Sequence, residues 1–379
     1  MQWKLLTNKE ISSEQCLSYV DNHPYGTIFH TPYMFEVYRE TPNYEPFAYY
    51  AVDDQRQIKA MLTGVIETVK PGFLSSLSKR AVMMQAPIFD EIDALDFLLS
   101  EYSKIMKHKV VYSEVRNHYS DDRVNVVMSN NRFNFFPHYN IIVDCKDPDK
   151  IWAKISESKR RQIKKALKNG VIIEENPNIK QIKEFYNILK NLYNNKVKKP
   201  LVPFEYFQAL YKICVPKNKS RFLLVVKESR VIGGIVCLIS GNKCIHENYI
   251  AGLDEEYKDS YPSVIATWSA IDYACKNGIK EFDFMGMLKT DPMSITGKLI
   301  YESVVPNETN DIKFNQILYN TFTTYPYDFF TKSKKGNQWE MASITMECKK
   351  ETLTIKVNRE QGIWLICLLY TSDAADDLL

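Results

Sequence analysis

The residues best placed to do chemistry in this chain are a cluster of cations and a few acids set on strand-like runs. Within residues 156–170 stand Arg160, Arg161, Lys164, Lys165 and Lys168. Ile155, Ile163, Ala166 and Leu167 recur at helical spacing among them, so the pattern predicts a helix with one stripe packed inward, the cations projecting elsewhere and Gly170 ending it. Clustered Lys and Arg on one short helix make a local field that attracts phosphates. The plain alternative is a solvated helix face. Residues 150–168 hold eight basic side chains and one acid, Glu157, while the whole chain has a formal net charge of only +3. That balance excludes a general nucleic-acid coat and confines anion binding to local patches. A second patch is the link Lys196-Val197-Lys198-Lys199-Pro200, which its proline makes a loop.

The acids suggest proton transfer. In a strand expected over 244–250, His246 and Glu247 alternate faces while Glu247 and Tyr249 share one. A carboxylate beside a tyrosine suits amine binding, and a solvent-facing strand edge has the same pattern. Asp283 lies between Phe282 and Phe284, points away from both, and reads as a buried hydrogen-bonding acid. Asp90 stands at a helix start and reads as its N-cap. Both aspartates fall where α/β folds open clefts. The sequence suggests no Ser/His/Asp or Cys/His arrangement. The eight cysteines are scattered without a CxxC pair or metal-ligand spacing, so they are expected to be reduced, mostly buried and without a metal.

The elements that position these groups read as two similar halves. At 379 residues the chain exceeds what one core usually organises. In the first half, strands are expected over 47–52 and 58–66 around the turn Asp53-Asp54-Gln55, then an extended run over 82–89, a helix over 92–106 and a strand over 110–115. From residue 222 much of that order returns: strands over 222–226 and 231–240 around Glu228-Ser229-Arg230, an extended run over 244–250, a helix over 262–276 and a strand over 281–284. Between the halves lie the basic helix, a strand over 171–173 and helices over 179–195 and 204–214. Duplication of an α/β unit is the simplest account, against two unrelated lobes with similar punctuation.

With these residues in place the sequence resembles the FemAB family of peptidoglycan bridge-forming aminoacyltransferases. The likeness rests on Ser158, Arg161, Ile163-Lys164-Lys165-Ala166 and Gly170-Val171, then in order Tyr206-Phe207, Gly233-Gly234-Ile235, Tyr261-Pro262 with Trp268, and Phe282-Asp283-Phe284 before Gly286. In the first half Phe29-His30-Thr31-Pro32 and Gln85-Ala86-Pro87-Ile88-Phe89-Asp90 agree with it. The resemblance implies an α/β fold with mixed sheets: tandem duplicated GNAT-like acyl-CoA N-acyltransferase lobes with a cleft between them, lobe one over 1–147 and lobe two over 148–286. It implies transfer of an amino acid from aminoacyl-tRNA to an amine of a nucleotide- or lipid-linked peptidoglycan precursor, with no bound cofactor. Arg39, Lys196 and Lys198, with Tyr206 and Tyr249, are then the substrate-binding candidates. The basic helix would meet tRNA or another phosphate, and Glu247, Asp283 and Asp90 are the catalytic candidates. Acyl transfer of this kind needs a proton acceptor and oxyanion donors but no covalent nucleophile.

Two other readings stay open. One is an N-acyltransferase drawing on acyl-CoA or an acyl carrier protein; the other is a binding protein that keeps the lobes without turnover. CoA-dependent enzymes of this fold hold the pyrophosphate at a glycine-rich turn before a helix, whereas Tyr257-Lys258-Asp259-Ser260-Tyr261-Pro262 has no glycine and Phe89-Asp90-Glu91 is acidic. No apolar run reaches the length of a membrane span and no leader pattern opens the chain, so a cytoplasmic location is expected. After Gly286 the resemblance stops. Family members carry a lysine thought to assist catalysis, for which Lys298 is the nearest candidate. The period-2 runs 341–348 and 352–357 suggest a hairpin. Residues 368–376 resemble translated adapter sequence, so residues 287–379 are expected to be atypical, out of frame or chimeric.

Overall fold

The computed structural model describes residues 2–68, 78–117, 122–140, 142–198 and 200–285, with the strand segments 318–324, 332–335, 338–341, 344–349 and 352–357. It divides into two compact units, one of residues 1–16, 43–137 and 320–379, the other of residues 17–42 and 138–319.

In chain order, β1 (Lys4–Thr7) is followed by α1 (Ser13–Asn22), a 3₁₀ turn at Ile28–His30 and α2 (Pro32–Arg39). The hairpin β2 (Tyr44–Val52) and β3 (Ile58–Thr68) comes next, then β4 (Lys79–Met83), β5 (Ile88–Phe89), α3 (Ile92–Met106), β6 (Tyr112–Asn117), α4 (Asp122–Asn130) and β7 (Asn134–Tyr139). Asp53 closes the hairpin turn, its Oδ1 accepting from the N–H groups of Gln55 at 3.0 Å and Gln57 at 2.8 Å. The sheet runs β1-β2-β3-β4-β6 and continues through β14 (Leu318–Thr324) to β7, with β5 pairing β3. The apolar stripe Leu95, Leu98, Leu99, Tyr102 and Met106 of α3 packs on Phe47, Tyr49 and Leu62. Each such leucine contributes about 1.5–3 kcal/mol by leaving water.

The second unit adds β8 (Ile142–Asp144), α5 (Pro148–Lys154), α6 (Glu157–Lys168), β9 (Ile172–Glu174), α7 (Ile179–Leu192) and α8 (Phe204–Ala209). It continues with β10 (Ser220–Lys227), β11 (Arg230–Ser240), β12 (Cys244–Gly252), α9 (Pro262–Lys276) and β13 (Glu281–Asp283), in the sheet order β8-β13-β12-β11-β10-β9. In each unit a three-stranded antiparallel meander is extended by a short antiparallel edge strand. A helix then crosses over to a strand parallel with the meander's last: β4, α3, β6 in the first and β12, α9, β13 in the second. The expected duplication is therefore present in the core of each sheet, from the edge strand through the meander and crossover helix to the parallel strand. Both long helices keep their expected bounds because each has an uninterrupted apolar stripe.

Local chemistry explains the second hairpin. Glu228 and Ser229 both have positive φ, 49° and 63°, the doubled left-handed turn whose twist matches its strands. A Cβ on Gly234 would crowd the neighbouring strand, lying 2.7 Å from Leu224 Cδ2 and 3.0 Å from the Leu223 carbonyl oxygen. The helices expected over 179–195 and 204–214 each end in a π-helical turn, Tyr193–Val197 and Leu210–Cys214.

Three expectations are corrected. Residues 17–42, assigned to the first lobe by sequence, pack in the second unit, where Ile28 N–H donates to Ser240 Oγ at 2.9 Å and Lys243 Nζ donates to the His23 carbonyl at 2.8 Å. β8 also belongs to the second sheet although it precedes residue 148. On α6 the inward stripe is Lys159, Ile163 and Ala166, spaced i, i+4, i+7, while Leu167 is 49% exposed. The long aliphatic stem lets a lysine occupy that stripe. Past residue 318, β15 (Lys332–Lys335) pairs with β16 (Gln338–Met341), and the expected C-terminal hairpin forms from β17 (Ile344–Lys349) and β18 (Thr352–Val357). Gly286 and Lys298 lie outside the described residues.

Candidate active site

The second unit gathers its functional side chains on β12. This strand pairs with β13 only from Cys244 to His246, and among the described residues nothing pairs with that side of it from Glu247 onward. A β-bulge follows: Glu247 stands opposite Cys237 and Tyr249 opposite Val236, leaving Asn248 as the extra residue. Because paired residues share a face, the bulge separates two side chains that simple alternation places together. Glu247 lies on the Cys237 face and Tyr249 on the opposite one, which corrects the shared face expected from the sequence.

Glu247 is half-buried, yet its Oε2 is sealed from solvent and has no hydrogen-bond partner among the described residues. Burial first, and the nearby charge of Asp283 second, push its carboxyl up to about 8. A buried, unpartnered carboxyl oxygen is costly unless something else occupies it. Asp283 is 2% exposed and, as expected, fully engaged: its Oδ1 accepts from Asn140 Nδ2 at 2.9 Å and Met285 N–H at 2.7 Å, and its Oδ2 faces His246 Nδ1 at 3.2 Å. Both of its oxygens thus have partners within the second unit. The far side of His246 meets Ser240 Oγ at 2.9 Å. A Ser/His/Asp line therefore does exist, against the sequence expectation, because β11, β12 and β13 bring together residues no motif spacing connects.

Tyr206 and Tyr249 come together as the sequence suggested, with ring centroids 6.2 Å apart, and Phe207 lies 5.1 Å from Tyr249. Asn248 Nδ2 donates to the Tyr206 hydroxyl at 2.9 Å, so the bulge residue fixes that ring. Tyr38 of α2 stacks on Tyr206 at 6.4 Å. Arg39, the next residue, is exposed and paired with Glu36. Lys196 is exposed and paired with Glu255, which it holds below the usual carboxylate range, and Lys198 is exposed in a left-handed conformation with φ 56°. Asp90 departs from expectation: it is exposed in the first unit, and the residue in the N-cap position of α3 is Glu91, whose side chain makes no capping bond. Asp90 lies one residue too early because its own N–H is tied to the Lys59 carbonyl at 2.8 Å.

On α6, Arg161 pairs loosely with Glu157 at 3.8 Å and Lys165 binds Asp259 Oδ1 at 2.7 Å. Lys164 lies over the Trp152 ring at 5.9 Å, Arg160 is half-buried and Lys168 is exposed. Asp259 belongs to the turn before α9. The start of α9 is closed by another acid that sequence reading missed: Asp254 Oδ1 accepts from Ser263 N–H at 3.2 Å, and its Oδ2 accepts from the Ser263 hydroxyl. No local motif joins positions 254 and 263. The clue was Gly252, where a Cβ would lie 2.6 Å from Ser263 Oγ. Exchanging Asp254 for Ala is expected to cost about 0.5–2 kcal/mol of stability in urea unfolding, the range for losing a cap.

Residues 153–291 match the model of the acetyltransferase (GNAT) domain family. This stretch, a little over a third of the chain, is similar to GNAT domains. Over 86% of its length the chain shares its fold with the crystal structure of FemX, 97% of which is covered, at 13% identity and TM-score 0.59. It is similar also to a tandem GNAT protein from the clavulanic acid biosynthesis pathway, at 8% identity and TM-score 0.52 over 86% and 99% of the two chains. A conserved protein of unknown function from Bacteroides thetaiotaomicron aligns at 11% identity and TM-score 0.51 over 84% and 99%. No curated protein sequence matches. The expected tandem GNAT-like architecture is thereby established, and the likeness to FemX is one of fold. No helix of the described residues is long and apolar enough to cross a membrane.

Proposed function

We propose that the protein transfers an amino acid from aminoacyl-tRNA to an amine of a peptidoglycan precursor in the cytoplasm, with Glu247 as the general base. The observation that carries this is the sealed, unpartnered Oε2 of Glu247 on the GNAT strand whose β13 partner has ended. Its raised proton affinity suits taking a proton from an amine at near-neutral pH. As the amine nitrogen bonds to the ester carbonyl, its proton passes to Glu247; the ester C–O bond then breaks and the departing oxygen recovers that proton. Asp283, held by Asn140 and His246, keeps negative charge near Glu247. Tyr206 and Tyr249 lie on the other face of β12, so with Arg39, Lys196 and Lys198 they would hold only the remote, phosphate-bearing part of the acceptor, its amine reaching Glu247 past the edge that β13 leaves open.

The α9 start favours tRNA over CoA as donor. A pyrophosphate needs free N–H groups and a positive helix end. Here Asp254 already caps Ser263 and Asp259 adds a second carboxylate, which Lys165 neutralises. The test is to incubate the protein with charged tRNA, acyl-CoA and acyl carrier protein against precursor peptides. Turnover with charged tRNA alone is expected. Turnover with CoA alone would make it a CoA-dependent N-acyltransferase, and turnover with no donor would leave a binding protein.

A further inference from the structure

The hydrogen-bond line beyond Glu247 has a polarity fixed at both ends. Asp283 as a carboxylate only accepts, and its Oδ1 already takes the Asn140 amide and Met285 N–H protons. Across the 3.2 Å contact to Oδ2, His246 therefore carries its proton on Nδ1 and presents a lone pair at Nε2. At the other end the Ile28 N–H can only donate, so Ser240 Oγ accepts it and directs its own proton along the 2.9 Å contact to Nε2. Ser240, His246 and Asp283 are 6%, 3% and 2% exposed, so the line is shielded from bulk solvent and is reached from the pocket beside Ser240. This is the polarity that activates a serine hydroxyl for acyl chemistry.

The serine also has somewhere to act. It lines a pocket of about 230 Å³, bordered by Thr27, Ile28, Thr31, Lys219 and Lys243. That exceeds the roughly 150 Å³ of an apolar cavity able to take up benzene. Lys243 spends two of its ammonium donors on the carbonyls of His23 and Gly26, at 2.8 and 3.4 Å. Lys219 and Asp21 border the pocket beside Lys243.

We propose that Ser240, His246 and Asp283 form a nucleophilic relay that hydrolyses small acyl esters entering this pocket, an activity separate from amine acylation at Glu247. Ser240 Oγ bonds to the ester carbonyl carbon while its proton passes to His246 Nε2, and Asp283 stabilises the imidazolium. The ester C–O bond breaks and the alcohol leaves with that proton. Water then attacks the acyl-serine in the same way, releasing the carboxylic acid and restoring the hydroxyl.

The experiment treats the full chain with a fluorophosphonate and maps the adduct by peptide mass, beside hydrolysis of p-nitrophenyl acetate. One adduct per chain on Ser240 is expected, and Ser240→Ala and His246→Gln should each lose about a hundredfold or more in hydrolysis. Folded wild-type protein, checked by circular dichroism, that carries no adduct on Ser240 would overturn the relay and leave a hydrogen-bonded brace for the 3₁₀ turn. So would a Ser240→Ala protein hydrolysing the ester at the wild-type rate. The labelling is read on unaltered protein, so a variant that fails to fold does not blunt it.

Discussion

Glu247→Gln should abolish most amine acylation, lowering kcat by about 10²–10⁴-fold, the usual share of a positioned general base, while making the protein more stable at alkaline pH. Both effects follow from one buried carboxyl. Between its ordinary value of 4.5 and about 8 the folded protein holds a proton on Glu247 that the unfolded chain has released. Stability from this group is therefore complete below 4.5 and is lost as pH rises through about 8. Its removal above pH 8 is worth at most roughly 5 kcal/mol, less whatever the partial exposure of the side chain returns. Catalysis has the opposite sense, because only the carboxylate accepts a proton: wild-type activity rises with pH through about 8, and the Gln variant lacks that limb. The paired measurement is a pH–rate profile with thermal unfolding at pH 6 and pH 9. An unchanged acid limb in the Gln variant would remove Glu247 from the mechanism, and a variant no more stable at pH 9 would deny that its carboxyl is buried and charged there.

That residue also marks how far the sequence is legible. Glu247 stands out by its type on an apolar strand, and α3 and α9 by their periodicity, since each signal depends on neighbours a few positions away. The face of Glu247 does not, because one extra residue at Asn248 inverts everything after it, and a bulge is decided by how β12 meets β11. The Ser240 line and the Asp254 cap are unreadable for the same reason: their partners are six, 37 and nine positions away and meet only across a finished sheet or loop. Residues 17–42 mislead differently. Thr31 and Pro32 open α2 by local chemistry, but local signals cannot say which unit a segment joins. That choice rests on buried contacts such as Ile28 to Ser240.

The cations of α6 are a case where the structure ranks residues that the sequence leaves equal. Lys165 is committed to Asp259, and Arg161 shares its charge with Glu157, whereas Lys168 is exposed with no acid among its described partners and Lys164 has only the Trp152 ring. If this helix receives tRNA, changing Lys164 and Lys168 together to Glu should weaken binding most. It should also flatten the plot of log affinity against log salt by about 0.7–0.9 for each phosphate that is no longer neutralised. Lys165→Ala should change that slope less, since removing the lysine also unmasks Asp259 but sacrifices a charge already spent. Filter binding of charged tRNA across a salt series separates these cases. Equal slopes for wild type and the double variant would reduce α6 to a solvated face. Its buried stripe of Lys159, Ile163 and Ala166 would still fix the fold, but its outer charges would serve only solubility.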